Sequence, residues 1–341
     1  MPEEKIRLSV IVPAYNNPGD LRECLTALSA SSCPGLEIIV VDDASTDETS
    51  LIGGSMGARV MRLARNAGPA AARNYGAREA QGEILFFVDA DVAVAPGVLR
   101  RVLDAFDQNS DAAAVFGSYD AFPRAQGIVS RYRNLLHHFV HQKGNAEAST
   151  FWAGCGAIRR WVFEAVGGFN EQRFPKSSIE DIELGYRLRK AGYRILLDKG
   201  LQGTHLKSWT FWSVVWTDIR CRAIPWARLI LESRKIHNDL NLEGKHRLSG
   251  GLVTLACLLF LLGIFHIDFL FLGITALLSV VLLNRDLYAF FFRQGGLVFA
   301  GACVPLHLLY YLYSALSYVC VWIEFRIGNV ATRFAQVLHR N

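Results

Sequence analysis

Two carboxylates one residue apart, Asp89 and Asp91, follow the apolar run Ile84–Val88 and are the residues best suited to do chemistry. Five apolar residues, two of them β-branched and two aromatic, predict a strand that is buried on both faces. A buried carboxylate is costly unless it is paired, hydrogen-bonded or bound to a metal. If the chain stays extended, both side chains point the same way and suit a hard divalent cation with a diphosphate. The alternative is an acidic turn that ends the strand.

A second acidic pair, Asp42 and Asp43, follows another apolar run. The elements that would position both pairs alternate between strand-like and helix-like patterns. Strands are predicted at residues 8–12, 37–41, 59–63 and 84–88, and helices at residues 20–31, 45–52 and 69–80. This alternation predicts an α/β domain with a parallel sheet and helices on both sides. Both acidic pairs would then lie at the carboxyl edge of the sheet, where ligands bind in such folds.

Composition limits the alternatives for this chain of 341 residues. The net charge of +5 is modest and the basic residues are scattered, which argues against nucleic-acid binding. The seven cysteines show no CxxC spacing, so we expect buried thiols in a reducing compartment. The charged residues 1–7 lead straight into a strand without the apolar core of a signal peptide. We therefore expect the first domain in the cytosol.

Five motifs in a fixed order give the chain a resemblance to a known family. They read VIVPAYNN, VVDDASTDET, RNAGPAAARNYGA, FFVDADV, and GGFNE followed by EDIELGYRLRKAG. In these motifs residues 8–197 resemble the inverting family 2 glycosyltransferases. The resemblance implies the GT-A fold, which is Rossmann-like with a mostly parallel sheet and helices on both faces. It also implies transfer of a sugar from a nucleotide-sugar.

The resemblance also implies which residues hold the nucleotide. Residues that would line the base or close over the nucleotide are Pro13, Ala14, Tyr15, Asn66, Gly68 and Arg73. Asp43, or its neighbour Asp42, would accept a hydrogen bond from a base N–H, which favours a UDP-sugar without excluding guanine. Arg73 offers a planar donor fork for a base carbonyl or a phosphate, and the alternative is a solvated charge on a helix.

Asp89-Ala90-Asp91 resembles the DxD motif of the family. The resemblance assigns Asp91 to the metal, Asp89 to the ribose or the metal, and Ala90 to the nucleotide site. We expect Mg²⁺ or Mn²⁺, because a hard cation with oxygen ligands neutralises a leaving diphosphate.

Glu180-Asp181 resembles the acidic pair of the family at the start of a predicted helix, residues 181–191. Inverting transfer needs a base for the acceptor proton, and the match favours Asp181, with Glu180 supporting it or binding acceptor. Simple capping of the helix N-terminus is the alternative. Weaker expectations for the acceptor side fall on Trp152, Gly154, Cys155, His205, Arg222 and Trp226. Cys155 is expected to pack rather than react, and His205 to lie near the diphosphate.

His137, His138 and His141 form an HHxxH group on a predicted helix. Zinc is one interpretation, but no nearby cysteine or acidic residue completes a site, so we favour a role in an acceptor groove or in packing. The stretch 217–226 is a departure from the family, because it lacks the glutamine and the spacing of the QxxRW motif of processive members. This favours addition of a single sugar over polymer synthesis.

The second half of the chain predicts membrane attachment. Trp209, Trp212 and Trp216 recur at helical spacing beside basic residues, which suits the headgroup layer, although a buried domain–domain helix is the alternative. Pro225 should break or kink this helix. A polar linker, residues 235–247, precedes apolar blocks at residues 248–267, 269–283 and 295–323. Their lengths predict three membrane helices, of which the second is short for a span, and the third should kink at Pro305. A re-entrant segment in place of one span is the alternative.

These patterns predict four regions: a cytosolic catalytic domain (1–205), interfacial helices and linker (206–247), a membrane region (248–325) and a basic tail (326–341). Segment 287–293 looks interfacial, and flanking arginines favour a multi-pass protein of the inner (plasma) membrane. The predicted partners are a nucleotide-sugar, the lipid bilayer, and a membrane lipid or lipid-linked acceptor. The alternatives are a polyprenyl-phosphate glycosyl synthase, a processive synthase and a non-catalytic membrane scaffold.

Overall fold

A computed structural model describes residues 6–338 other than Ser32, Lys235 and His237, with side chains as far as Ile327. The chain divides into two compact units, Met1–Trp209 and Thr210–Asn341. The described residues therefore leave out the first five residues of the chain and two residues of the predicted linker. Most of the predicted basic tail is described only in part or not at all.

The first unit is built on one sheet of eight strands. The strands are Leu8–Ala14 (β1), Leu36–Asp42 (β2), Arg59–Arg62 (β3), Ile84–Val88 (β4), Val92–Val94 (β5), Ala112–Tyr119 (β6), Cys155–Arg159 (β7) and Arg194–His205 (β8). Their order across the sheet is β3-β2-β1-β4-β7-β6-β8-β5. Strands β1–β4 pair in parallel, as predicted, and β6 pairs in parallel with β8. Strand β7 runs antiparallel to both neighbours and β5 runs antiparallel to β8, so the sheet is mixed, although its other six strands all run in the same direction.

Seven helices flank this sheet in the described part of the first unit. They are Pro18–Ala30 (α1), Thr49–Ser55 (α2), Pro69–Glu79 (α3), Val98–Gln108 (α4), Ile128–Lys143 (α5), Arg160–Ala165 (α6) and Glu180–Lys190 (α7). Helix α2 begins later than the predicted residue 45, because Asp42 and Asp47 accept backbone N–H bonds that hold the preceding turn.

Strand β4 is buried along its whole length, as its apolar sequence predicts. On one face, Phe87 packs against Phe163 and Phe169, with ring centroids 5.5 and 5.1 Å apart. On the other face, Phe86 joins the core with side chains of α1 and α4, including Leu25 and Val102. Because both faces are covered, β4 is held in place, and this fixes the position of Asp89, which directly follows the strand.

The second unit is helical throughout its described length apart from short turns. Its helices are Phe211–Thr217 (α8), Ile224–Ser233 (α9), Gly244–Leu262 (α10), Asp268–Leu283 (α11) and Arg285–Leu338 (α12). The helix does not end at Pro225, because Asp218–Ala223 winds as a π-helical turn immediately before it and helical torsions continue through Ile224. Pro225 has no N–H, so the regular i→i−4 hydrogen bond is missing at this residue, directly after the π-helical turn.

Two of these helices, Gly244–Leu262 and the described part of α12, Arg285–Ile327, are long and apolar enough to cross a membrane. The third apolar helix, α11, has 16 residues and is shorter. The predicted interfacial segment 287–293 and the third apolar block lie in α12, which is interrupted at Gly296, where φ is 72°. Pro305 lies inside that helix.

Candidate functional site

The two carboxylates that follow β2 are placed differently. Asp42 is fully buried and accepts hydrogen bonds from the Ser45 N–H (2.9 Å) and the Ser50 hydroxyl, with Arg62 Nη1 3.4 Å away. Burial raises its pKa, but these hydrogen bonds and Arg62 outweigh burial and leave the pKa below its usual value. Asp42 therefore closes the turn after β2.

Asp43 instead ties two chain segments to the edge of the sheet. Its carboxylate oxygens accept the N–H groups of Ala67 (2.7 Å) and Gly68 (2.8 Å), and its own N–H donates to Ala14 O (2.9 Å). Burial raises the pKa of this carboxyl group. Tyr15, which follows Ala14, is exposed. The structure thus joins three of the predicted nucleotide residues, Ala14, Asp43 and Gly68, at one place.

Gly68 precedes α3 and has the left-handed torsion φ 87°. A Cβ atom at this position would lie 2.4 Å from Pro175 O, so only glycine fits. The neighbouring Asn66 is exposed, and Pro13 is partly buried in β1. The segment before α3 is therefore held between the Asp43 carboxylate and the loop that contains Pro175.

Arg73, one turn into α3, connects the two acidic motifs. Its Nη2 donates to Asp89 Oδ1 (2.6 Å) and its Nη1 donates to Glu180 Oε1 (2.9 Å). The guanidinium is buried and lies 5.5 Å from the Phe169 ring centroid. Two residues 91 positions apart in sequence are thereby brought to one cation, since Arg73 presents its donors as a planar fork. The predicted contact of Arg73 with a base or phosphate stays a prediction.

Asp89 and Asp91 lie at the carboxyl end of β4. The Asp89 N–H donates to Gly154 O (3.2 Å), and Leu206 N–H donates to Asp91 O (2.8 Å). Asp91 Oδ2 is 3.7 Å from His205 Nε2. Burial raises the pKa of Asp91, but His205 and then Lys207 outweigh it and hold the pKa below its usual value. The carboxylate is therefore ionised at neutral pH.

Among the described residues, no three or more His, Cys, Asp or Glu side chains form a group that could hold a metal ion. Asp89 and Asp91 alone supply two hard oxygen donors, and the side chain of Asp91 keeps 21% of its surface exposed. Mg²⁺ is commonly bound by one or two carboxylates with substrate phosphates completing its shell. The two aspartates fit that kind of shared site rather than a closed protein cage.

Asp181 lies at the start of α7 beside the same segment. Its Oδ2 accepts the Ala153 N–H (3.1 Å) and its Oδ1 accepts the Ile182 N–H (2.8 Å). Burial and the Glu180 carboxylate raise the pKa of Asp181 to about 7, against the lowering effect of Arg73. Glu180 is itself held by Arg73 and the Ser178 N–H (2.8 Å). Asp181 is therefore the carboxylate of the pair that is suited to accept a proton near neutral pH.

The segment Trp152–Cys155 lies between Asp89 and Asp181, because both are hydrogen-bonded to its backbone. A Cβ atom on Gly154 would lie 2.5 Å from the Trp152 ring, so the glycine lets backbone and ring approach closely. Cys155 is buried in β7 opposite Val88, and burial raises the pKa of its thiol. A buried neutral thiol is suited to packing rather than to reaction.

An aromatic cluster surrounds this segment, and sequence reasoning missed its central member, Tyr119. Tyr119, at the end of β6, packs against Trp152 (4.9 Å), His137 (4.4 Å) and His205 (4.2 Å, stacked) between ring centroids. Its position at the carboxyl end of an apolar strand is the same signal that singled out Asp89. His138 Nδ1 bonds to Tyr119 O (2.8 Å), so this histidine has a structural partner.

The zinc interpretation of the histidine group has no support in the described residues, where no metal-holding group of three occurs. His141 Nδ1 is 2.9 Å from Gly117 O, and the centroids of the His137 and His141 rings lie 3.9 Å apart with their planes tilted by 32°. Burial, and then the neighbouring His141, holds the pKa of His137 well below its usual value, so its ring is neutral. Packing of α5 against β6 accounts for His141.

Arg222 and Trp226, the last two acceptor-side residues predicted, belong to the second unit. There Arg222 Nη1 donates to Asp218 Oδ1 (2.8 Å), and the Tyr313 hydroxyl donates to Asp218 Oδ2 (2.6 Å). The Asp218 carboxylate thus joins the π-helical turn to α12, and Arg222 pairs with that carboxylate. Its predicted contact with acceptor stays a prediction.

Several known glycosyltransferases are similar to this chain. Residues 9–167 match the family model described as glycosyl transferase family 2. The pre-mycofactocin glycosyltransferase of Mycobacterium tuberculosis (strain H37Rv) is 31% identical over 199 residues, which are 55% of this chain and 40% of that protein. An N-acetylglucosaminyltransferase of Mesorhizobium japonicum is 27% identical over 205 residues, 55% of this chain and 48% of that protein. The chain spans less than half the length of these curated relatives.

Among solved structures, a mannosyltransferase from Pyrobaculum calidifontis, in complex with GDP-Man and Mn²⁺, aligns with a TM-score of 0.55. The alignment covers 93% of this chain and 88% of that chain at 20% sequence identity. At this identity the likeness concerns the fold, a GT-A-like mixed sheet with helices. The expected fold is confirmed at that level.

Proposed function

We propose that this chain, whose residues 9–167 match the glycosyl transferase family 2 model, is an inverting glycosyltransferase. It moves one sugar from a nucleotide-sugar to a hydroxyl group of a lipid or lipid-linked saccharide. The observation that carries the proposal is the pair of bonds from Arg73 to Asp89 (2.6 Å) and to Glu180 (2.9 Å). They bring the acidic motif suited to the diphosphate and the one suited to the acceptor together at one cation.

On the donor side, Asp43 and the segment at Gly68 hold the nucleotide, and Asp91 with Asp89 holds a divalent cation. A bound Mg²⁺ or Mn²⁺ would neutralise the charge that develops on the leaving diphosphate. Arg73 keeps one oxygen of Asp89 in place (2.6 Å), so the carboxylate is oriented before the donor arrives. His205, 3.7 Å from Asp91, would contact the same diphosphate.

On the acceptor side, Asp181 removes the proton of the attacking hydroxyl. Its pKa of about 7 suits a general base that operates near neutral pH. The Ala153 N–H fixes one of its oxygens at 3.1 Å. A phosphate acceptor is already ionised and needs no such base, so this arrangement favours a hydroxyl acceptor over a polyprenyl phosphate.

The second unit supports a membrane-associated acceptor. Two of its helices have the length and composition of membrane spans. Trp212 and Trp216 of α8 are exposed, and the Arg220 guanidinium lies 5.0 Å from the Trp216 ring centroid. Exposed tryptophans beside arginine suit the headgroup layer. An enzyme held at this surface meets lipid-linked acceptors directly.

The test uses the full chain in lipid nanodiscs with a panel of UDP- and GDP-sugars and a membrane lipid extract. Released nucleotide and glycosylated lipid are measured with and without EDTA. We expect one donor class to be consumed in a metal-dependent reaction that yields a labelled lipid. Asp91→Ala should abolish donor turnover, and Arg100→Ala, on the exposed face of α4, serves as the control. Absence of nucleotide release from every donor would refute the proposal.

A further inference from the structure

Tyr119 lies between the two halves of the site. Its ring stacks on His205 with centroids 4.2 Å apart and an interplanar angle of 19°. A second neighbour is Trp152, whose ring it meets edge-on at 4.9 Å. His205 Nε2 is 3.7 Å from Asp91, and the residue after Trp152 donates its N–H to Asp181. One contact of Tyr119 therefore leads to the diphosphate side and the other to the base.

The position of Tyr119 is fixed by its surroundings. His138 Nδ1 lies 2.8 Å from Tyr119 O, and the His137 ring lies 4.4 Å from the Tyr119 ring. Three aromatic neighbours and a held backbone leave the ring little freedom to turn. A side chain locked in this way offers its polar end to a ligand without a further loss of conformational entropy.

The hydroxyl of Tyr119 forms no hydrogen bond with any residue that the structure describes. The Tyr119 residue is only partly buried. Its hydroxyl is not one of the fully buried polar atoms that have no partner, so it is accessible to a ligand. A phenol can donate one hydrogen bond and accept others. Tyr119 thus presents an unused polar group on a rigid support between Asp91 and Asp181.

In an inverting displacement, the attacked carbon lies between the leaving oxygen and the attacking oxygen. The transferred sugar therefore occupies the space between the diphosphate side and the base. We propose that the Tyr119 hydroxyl hydrogen-bonds to a hydroxyl group of the transferred sugar and so helps to select the donor. This inference rests on the proposed function and assigns Tyr119 to the sugar rather than to the nucleotide or the acceptor.

The test compares Tyr119→Phe, which keeps the ring and removes the hydroxyl, with Tyr193→Phe as the matched control. Tyr193 follows α7 and packs on Trp161 (5.8 Å), away from the site carboxylates. Donor hydrolysis without acceptor, transfer to acceptor, and inhibition by the nucleoside diphosphate are measured on the full chain. Loss of one neutral hydrogen bond should lower kcat/KM for donor hydrolysis about 3- to 10-fold. The inhibition constant of the nucleoside diphosphate and the melting temperature should not change.

Monodeoxy analogues of the accepted donor give a second measurement that needs no folding control. One analogue should be a poorer substrate for the wild-type protein, and Tyr119→Phe should lower its kcat/KM no further. The inference is overturned if Tyr119→Phe changes only the KM for acceptor, or weakens nucleoside diphosphate binding as much as donor turnover. It is also overturned if Tyr119→Phe lowers kcat/KM by the same factor for every deoxy analogue as for the unmodified donor. A wild-type protein that turns over no donor would instead refute the proposed function.

Discussion

Replacing Arg73 by methionine tests the linkage between the two acidic motifs. The Arg73 side chain is 6% exposed and that of Glu180 is 5% exposed, so the substitution leaves a buried carboxylate without its cation. Breaking a buried ion pair by removing one partner costs about 3–5 kcal/mol. The remaining hydrogen bond from the Ser178 N–H (2.8 Å) to Glu180 does not supply the lost charge. We therefore expect the first unit to lose about 3–5 kcal/mol of stability.

For a domain of this size, 1 kcal/mol corresponds to about 2–4 °C in melting temperature. Arg73→Met should then lower the melting temperature of the first unit by about 6–20 °C, as measured by circular dichroism or intrinsic fluorescence. The double variant Arg73→Met/Glu180→Gln should recover part of the loss, because the unpaired charge is gone. Arg100→Met is the matched control, since Arg100 pairs with Asp104 on the surface and is 72% exposed. Its effect should stay near zero.

The same substitution has a second, independent consequence. Arg73 lowers the pKa of Asp181, so removing Arg73 should raise that pKa and move the acidic limb of the rate–pH profile to higher pH. Residual transfer activity of Arg73→Met, followed between pH 5 and pH 9, measures the shift. If Arg73→Met has the same melting temperature and the same pH profile as the wild-type protein, the linkage has no energetic role and the reasoning fails.

In the wild-type protein, transfer should increase as the pH rises through about 7, because Asp181 must lose its proton to act as base; a rate that is flat from pH 5 to pH 8 contradicts this. Asp181→Asn should leave donor binding intact and stop transfer, and equal loss of both would exclude separate roles. Asp43→Asn can no longer accept both the Ala67 and the Gly68 N–H groups, so nucleotide affinity, measured by calorimetry, should fall about 10-fold or more. Gly68→Ala should cost about 1–3 kcal/mol of stability at its left-handed torsion, with Gly127→Ala as the control.

Strands and helices of the first half of the chain follow from local pattern. The apolar runs that end at Val12, Val41 and Val88 predict β1, β2 and β4 to within a few residues. Their parallel pairing follows from the intervening helices, because parallel strands need a crossover of this length. The acidic residues after β2 and β4 could therefore be placed at one edge of the sheet from sequence alone.

Local pattern gave less information about the later strands. Strand β7 runs antiparallel between β4 and β6, and its pairing of Cys155 with Val88 depends on contacts far apart in sequence. No local signal states the direction in which such a strand inserts. The interruption of α12 is a similar case, because Gly296 with φ 72° breaks the regular helix at a place that the sequence analysis did not single out, ahead of Pro305. Glycine reaches that torsion at little cost, whereas the structure alone shows that it does so here.

By itself, the sequence determined which residues could do chemistry and roughly where each lies in its own element. Only the tertiary structure decided which partner each of them has, and therefore which role each can play. Asp42 and Asp43 are adjacent and chemically identical, yet one closes its own turn and the other holds Ala67 and Gly68. Arg73 finds Glu180, 107 residues away, and Tyr119 comes to lie between Asp91 and Asp181. Hydrogen bonds and burial of this kind depend on which segments meet in space, and they set both the pKa and the partner of each group.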